Sequence, residues 1–156
     1  MEKAIFAAGC FWGVQDAFDK INGVVKTTVG YTGGRSEHPT YEEVSAGDTG
    51  HAEAILIEFN PAIVSFDQLL EKFWEIHDPT QLNRQGQDVG SNYRSAVFYL
   101  NDEQKKQAEK SLAALAKSGK YRHPIVTVIE AAQKFYPAEE YHQKYFKKTG
   151  ESSCHI

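Results

Sequence analysis

The 156-residue sequence predicts an α+β fold, a two-layer sandwich in which helices pack on one sheet. Three observations lead there. Short apolar runs suited to strands alternate with stretches whose apolar residues recur at helical spacing. Their order, strand, helix, strand, strand, helix, strand, is that of a split βαβ plait. The length suits a single domain over residues 1–156, large enough to bury a core without cross-links.

Residues 3–8, centred on Ile5-Phe6-Ala7, make the first predicted strand. Phe11, Val14, Phe18 and Ile21 then recur every three or four residues and predict a helix over 11–21, stopped by Asn22-Gly23. A second strand spans Val24 to Tyr31. Gly33-Gly34 opens a polar loop through Arg35, His38 and Pro39, and Thr40 to Val44 is expected as a short helix. Residues 53–59, rich in isoleucine and leucine, predict the third strand, after which Asn60-Pro61 turns the chain. Ser65 and Gln68 form a capping box, and Phe66, Leu69, Leu70, Phe73 and Ile76 make the apolar stripe of the helix that follows.

A second irregular stretch, Asp78 to Asn92, precedes the strand Ala96–Leu100. The next helix, 102–117, turns Ala108, Leu112 and Leu115 inward and stops at Gly119. A strand at Ile125–Ile129 comes next. Beyond Phe135 the chain is rich in tyrosine, lysine and glutamate, and residues 146–156 are expected as a long, mobile, coiled tail. The expected architecture is thus a ferredoxin-like split βαβ plait with an additional helix and strand. Two long loops in one small domain point to a shared site.

Composition removes several classes of function. The formal charge is −4, so no diffuse positive field favours nucleic acid or an anionic membrane surface. No apolar stretch is long enough for a bilayer, and no basic-plus-apolar leader opens the chain. A soluble, cytoplasmic monomer is the expectation. The two cysteines, Cys10 and Cys154, are too few for a disulfide scaffold and enough for one redox pair. Metal binding is disfavoured, because no Cys-x-x-Cys or His-x-x-x-His spacing exists.

Cys10 stands where the first strand turns into the first helix, flanked by Gly9, Phe11 and Trp12. Unpaired amides and the positive end of the helix dipole favour a thiolate there, and the thiolate is the nucleophile. The plainer alternative is a small hydrophobe buried in a core strand. On the third strand, period two puts Glu53, Ile55, Ile57 and Phe59 on one face. Once that face is covered, Glu53 sits at the rim of an apolar layer that favours its protonated form, a proton donor. A solvated strand end paired with a surface lysine is the alternative. Tyr41 and Tyr93 border the two loops, where their hydroxyls can donate to an oxygen bearing developing charge, or merely fill core with a wet tip. Asp88, between Gly86 and Gly90, orients such groups or makes an Asx turn. Phe11 and Trp12 can line a methyl pocket, one of them at least packing into the core.

These residues fall into motifs. Gly9-Cys10-Phe11-Trp12, Gly30-Tyr31-Thr32-Gly33-Gly34, Tyr41-Glu42-Glu43-Val44, Gly47-Asp48-Thr49-Gly50-His51-Ala52-Glu53, Tyr93-Arg94-Ser95 and Tyr136-Pro137-Ala138-Glu139-Glu140-Tyr141-His142-Gln143 follow in order. Together they closely resemble the A-type peptide methionine sulfoxide reductases over nearly the whole chain. The resemblance implies reduction of the S epimer of methionine sulfoxide, free or in oxidised proteins, and so repair of oxidised proteins. It implies Cys10 as nucleophile, Glu53 as acid, Tyr41 and Tyr93 as hydrogen-bond donors to the sulfoxide oxygen, Phe11 and Trp12 as the methyl pocket, and Asp88 as the loop aspartate. It also implies Cys154 as the cysteine that resolves a sulfenic acid on Cys10 to a disulfide. No bound cofactor is implied, only an external dithiol, thioredoxin or dithiothreitol in vitro. The surroundings of Asp88 (Val89, Ser91, Asn92) and the short tail with its single Cys154 depart from the family pattern.

Three rivals predict different chemistry. A cysteine hydrolase would pair Cys10 with a base such as His51, His77 or His142. A thiol peroxidase would consume peroxide, and a non-catalytic plait binding oxidised peptides would survive loss of the Cys10 thiol.

Overall fold

The computed structural model describes residues 1–47 and 49–149. In chain order these form β1 (Glu2–Ala8), α1 (Phe11–Asp19), β2 (Val24–Thr32), α2 (Tyr41–Ser45), β3 (Ala52–Phe59) and α3 (Phe66–Glu75). The two-residue strands β4 (Arg84–Gln85) and β5 (Asp88–Val89) come next, then β6 (Ser95–Tyr99), α4 (Asp102–Lys117), β7 (Val128–Ala131), β8 (Tyr136–Pro137) and α5 (Tyr145–Thr149). The main sheet runs β7-β6-β1-β3-β2-β8. Its pairs are antiparallel apart from β6 with β7. None of the described helices is long and apolar enough to cross a membrane.

The pleat sorts the core. Ala4, Phe6 and Ala8 of β1 face the same way as Val29, Tyr31, Ile55, Ile57 and Phe59, and meet Phe11, Val14 and Phe18 of α1 and Leu69, Leu70 and Phe73 of α3. Phe6 is central, its ring 5.1–5.8 Å from those of Phe18, Phe66 and Phe73. A phenylalanine sealed this completely is worth about 3–5 kcal/mol relative to alanine. The opposite face is thinner, with Ile5, Ala7, Ala52, Ala54, Ala96 and Phe98 packed by Leu56, Ala132 and Phe135. Both capping boxes close as helix starts require: Ser65 with Gln68 begins α3, and Thr40 with Glu43 begins α2.

One sheet edge is finished by a side chain. β8 pairs with β2 only at Gly30 and Tyr31. At Val29 the Ala138 N–H donates to the carbonyl at 2.8 Å and Gln143 completes the pairing: its Oε1 accepts from the Val29 N–H at 3.0 Å and its Nε2 donates to the same carbonyl at 2.9 Å. The polar backbone groups of Val29 are thereby satisfied.

Four expectations need correction. α1 ends at Asp19 rather than residue 21, and the chain turns over through Ile21 and Val24. β7 begins at Val128, not 125, because the Val126 N–H donates to the Pro79 carbonyl and the Thr127 hydroxyl bonds that of Ser95. Only from Val128 is the backbone released to pair with β6. The irregular stretch 78–92 contains the β4–β5 hairpin and a 3-10 turn at Ser91–Tyr93. Finally, residues 146–149, expected as mobile coil, belong to α5, where Phe146 is buried against Trp12. The rest of that tail, with Cys154, lies outside the described residues, as does Asp48.

Candidate active site

Cys10 is the N-cap of α1, with φ −56° and ψ 119°. Gly9 before it has φ 95°, a left-handed conformation that glycine adopts without strain and that swings the chain from β1 into the helix. Both sequence readings of the thiol hold in part: it is buried, at 8% exposure, and it lies at a helix start with no acidic residue in the first turn. The solvated alternative for Glu53 fails. This residue is 1% exposed, and its Oε1 accepts from the Phe11 backbone N–H at 3.2 Å. A buried carboxyl is thereby tied to the amide directly after the nucleophile, across 42 residues of sequence.

Tyr41 and Tyr93 come to the same place from separate loops. Burial raises the Tyr41 hydroxyl above the usual phenol range, the charges of Glu53 and Cys10 add to this, and hydrogen bonds with Ser45 and Tyr93 oppose it. Tyr93 is pushed up for the same first reason, followed by Glu53, Tyr41, Asp88 and Cys10. Both phenols therefore stay protonated donors at neutral pH, near the thiol and the carboxyl. Asp88, on β5, is near enough for its charge to be felt at the Tyr93 hydroxyl.

Phe11 and Trp12 divide their work. Phe11 is sealed in the core, its ring 5.7 Å from Tyr31, while Trp12 is only half-buried. The Trp12 indole N–H donates to Nδ1 of His142 at 2.9 Å. Its ring stacks on Tyr145 at 3.9 Å and 12°. His142 also lies 4.5 Å from the Tyr41 ring and 5.2 Å from Phe11. Burial lowers its pKa below that of an ordinary histidine, so it is the neutral imidazole that accepts the hydrogen bond from the indole.

The candidate bases for a hydrolase fare poorly. His51 accepts the Gly34 N–H on Nδ1 at 3.0 Å and bonds the Ser36 carbonyl through Nε2 at 2.7 Å, which makes it a staple between two loops. A Cβ at Gly34 would collide with the His51 amide and the Thr49 carbonyl, so the glycine is needed for that approach. His77 spends its ring nitrogens on the Phe73 carbonyl and the Ser95 hydroxyl. Among the described residues no group of three or more metal-ligating side chains is found. A surface cavity of about 610 Å³, lined by Lys26, Lys144, Lys147 and Lys148 among others, includes none of the candidate site residues.

Sequence reasoning thus brought together Cys10, Phe11, Trp12, Tyr41, Glu53, Asp88 and Tyr93. It missed Tyr31, Glu139 and Tyr145, and considered His142 only as a base. The available signal was the dense motif Tyr136–Gln143, which lies next to this site through Glu139 and His142.

Comparison with known proteins gives the same direction. Residues 2–156 match the family model described as peptide methionine sulfoxide reductase. The chain is 56% identical over 155 residues to the peptide methionine sulfoxide reductase MsrA of Methanothermobacter thermautotrophicus, covering 99% of this chain and 92% of that protein. Among solved structures it superposes on Mxr1 from Saccharomyces cerevisiae in reduced form with TM-score 0.91 and 35% identity, covering 98% of this chain and 88% of that one. Mxr1 in complex with Trx2 superposes with TM-score 0.65 and 29% identity, over 92% of this chain and 84% of that one.

Proposed function

Because the chain belongs to the peptide methionine sulfoxide reductase family, we propose that it reduces the S epimer of methionine sulfoxide, free or in proteins, through Cys10 and Glu53. The observation that carries this reading is the hydrogen bond from Phe11 N–H to the buried Glu53 carboxyl, which ties a carboxyl to the residue after a cysteine at a helix start. Desolvation favours the protonated acid, and a helix N-terminus favours the thiolate.

The Cys10 thiolate attacks the sulfoxide sulfur while Glu53 gives its proton to the oxygen. The oxygen passes to Cys10 as a sulfenic acid, and methionine leaves with its sulfur reduced. Tyr41 and Tyr93 donate to the oxygen as its charge grows, and Trp12 holds the methyl group. Cys154 then condenses with the sulfenic acid, releasing water and forming a disulfide. An external dithiol, thioredoxin in this reading, reduces that bond by exchange, consistent with the Mxr1 complex with Trx2. The order of the four inner strands, β6-β1-β3-β2, supports reading the scaffold as a split βαβ plait with β7 and β8 added at its edges.

Incubation with separated methionine sulfoxide epimers and dithiothreitol tests the activity. Methionine should form from the S epimer, and product from neither epimer would end the reading.

A further inference from the structure

Glu139 makes no contribution to the chemistry described so far, yet its carboxylate joins two elements of the site. One oxygen, Oε1, accepts from the Tyr31 hydroxyl at 2.9 Å, and the other, Oε2, accepts from the Tyr41 backbone N–H at 3.1 Å. Tyr31 is a firm anchor: it is fully buried on β2, opposite Glu53 in register, with its ring against Phe11. Tyr41 is not. It opens a five-residue helix between two loops, is itself only partly buried, and Val44 is the one residue of that helix that is fully buried. The capping box serves Thr40 and Glu43, and Glu139 takes the Tyr41 amide lying between them.

We propose that Glu139 is a positioning residue: a strut from the buried Tyr31 to the start of α2 that fixes where the Tyr41 hydroxyl points. The inference rests on the proposed role of Tyr41 as a donor to the sulfoxide oxygen. The chemistry of the group suits the task, because an ionised carboxylate is acceptor on both oxygens and meets a donor on each. Burial pushes the Glu139 carboxyl up, but the amides of Glu139 itself and Tyr41, with the Tyr31 hydroxyl, outweigh this and hold it below the usual carboxylate range. Glutamine has the same shape but must turn an NH₂ toward one of the two donors. It can keep only half of the strut.

A double-mutant cycle on the first turnover separates positioning from general support of the fold. Methionine release from the S epimer is timed under single-turnover conditions for wild type, Glu139→Gln, Tyr41→Phe and the double variant. Glu139→Gln should slow release roughly tenfold, the rate equivalent of one lost charge-assisted hydrogen bond. In the Tyr41→Phe background, with no hydroxyl left to aim, the same change should cost less than about twofold. Losses that multiply independently, or a Glu139→Gln rate equal to wild type, would overturn the proposal. Should Glu139→Gln not fold, Tyr31→Phe cuts the strut at its other end and enters the same cycle with the same expectation. Wild-type enzyme that releases no methionine would defeat the reductase reading itself, and the positioning role with it.

Discussion

Replacing Glu53 by glutamine separates the proton donor from everything else that this residue does. The carboxyl is 1% exposed, and its Oε1 accepts the Phe11 N–H at 3.2 Å. Glutamine fills the same volume and offers an amide oxygen to the same N–H, so the start of α1 is retained. The expected change in stability is under about 1 kcal/mol, a shift in Tm of no more than about 4 °C. The rate is another matter, because a carboxamide has no proton to give. Loss of a placed general acid costs about 10²–10⁴-fold, or roughly 2.7–5.4 kcal/mol on the barrier. Rapid-quench measurement of methionine release under single-turnover conditions reads this step without recycling. A Glu53→Gln rate within about threefold of wild type at every pH, with Tm unchanged, would remove Glu53 from the mechanism.

Further outcomes follow from the Trp12 environment and the tail. His142→Phe keeps an aromatic ring against Phe11 and Tyr41 but removes the acceptor of the Trp12 indole, so KM for a sulfoxide-containing peptide should rise about 2- to 10-fold with kcat little changed; an unchanged KM would mean that the bond does not place Trp12. His142 also predicts a pH dependence of stability. Burial lowers its folded pKa, so the unfolded chain takes up the proton first, and stability is full above the ordinary histidine value of about 6.5 and falls as pH drops below it. Urea unfolding between pH 7.5 and 5.5 should show that decline, and His142→Phe should flatten it; an equal decline in both proteins would place the cause elsewhere. Cys154→Ser should abolish turnover with thioredoxin, and undiminished multiple turnover would refute the resolving role.

The parts of the molecule legible in the sequence are those whose cause is local. The Ser65–Gln68 capping box, the stripe of α3 and the alternation that buries Glu53 with Ile55, Ile57 and Phe59 all rest on residues a few positions apart. The start of β7 is not legible, because Ile125-Val126 looks like a strand by itself, whereas Pro79 and Ser95, distant in sequence, claim Val126 and Thr127. The same limit applies at the site. Cys10 announced itself through its neighbours, but the pairing of Trp12 with His142 spans 130 residues and that of Tyr41 with Glu139 spans 98, and no periodicity encodes either. β8 is two residues long and includes a proline, and it pairs with β2 only at Gly30 and Tyr31, so it carried no strand signal of its own.

The central claim is that Cys10 takes the sulfoxide oxygen. It is tested most directly by mixing the Cys154→Ser variant with methionine-S-sulfoxide in the absence of any reductant, then counting methionine and mapping the protein by mass spectrometry. The expected result is about one methionine released per chain with a single oxygen added at Cys10, trapped as the sulfenic acid. No methionine, or methionine released while Cys10 remains a thiol, would contradict it.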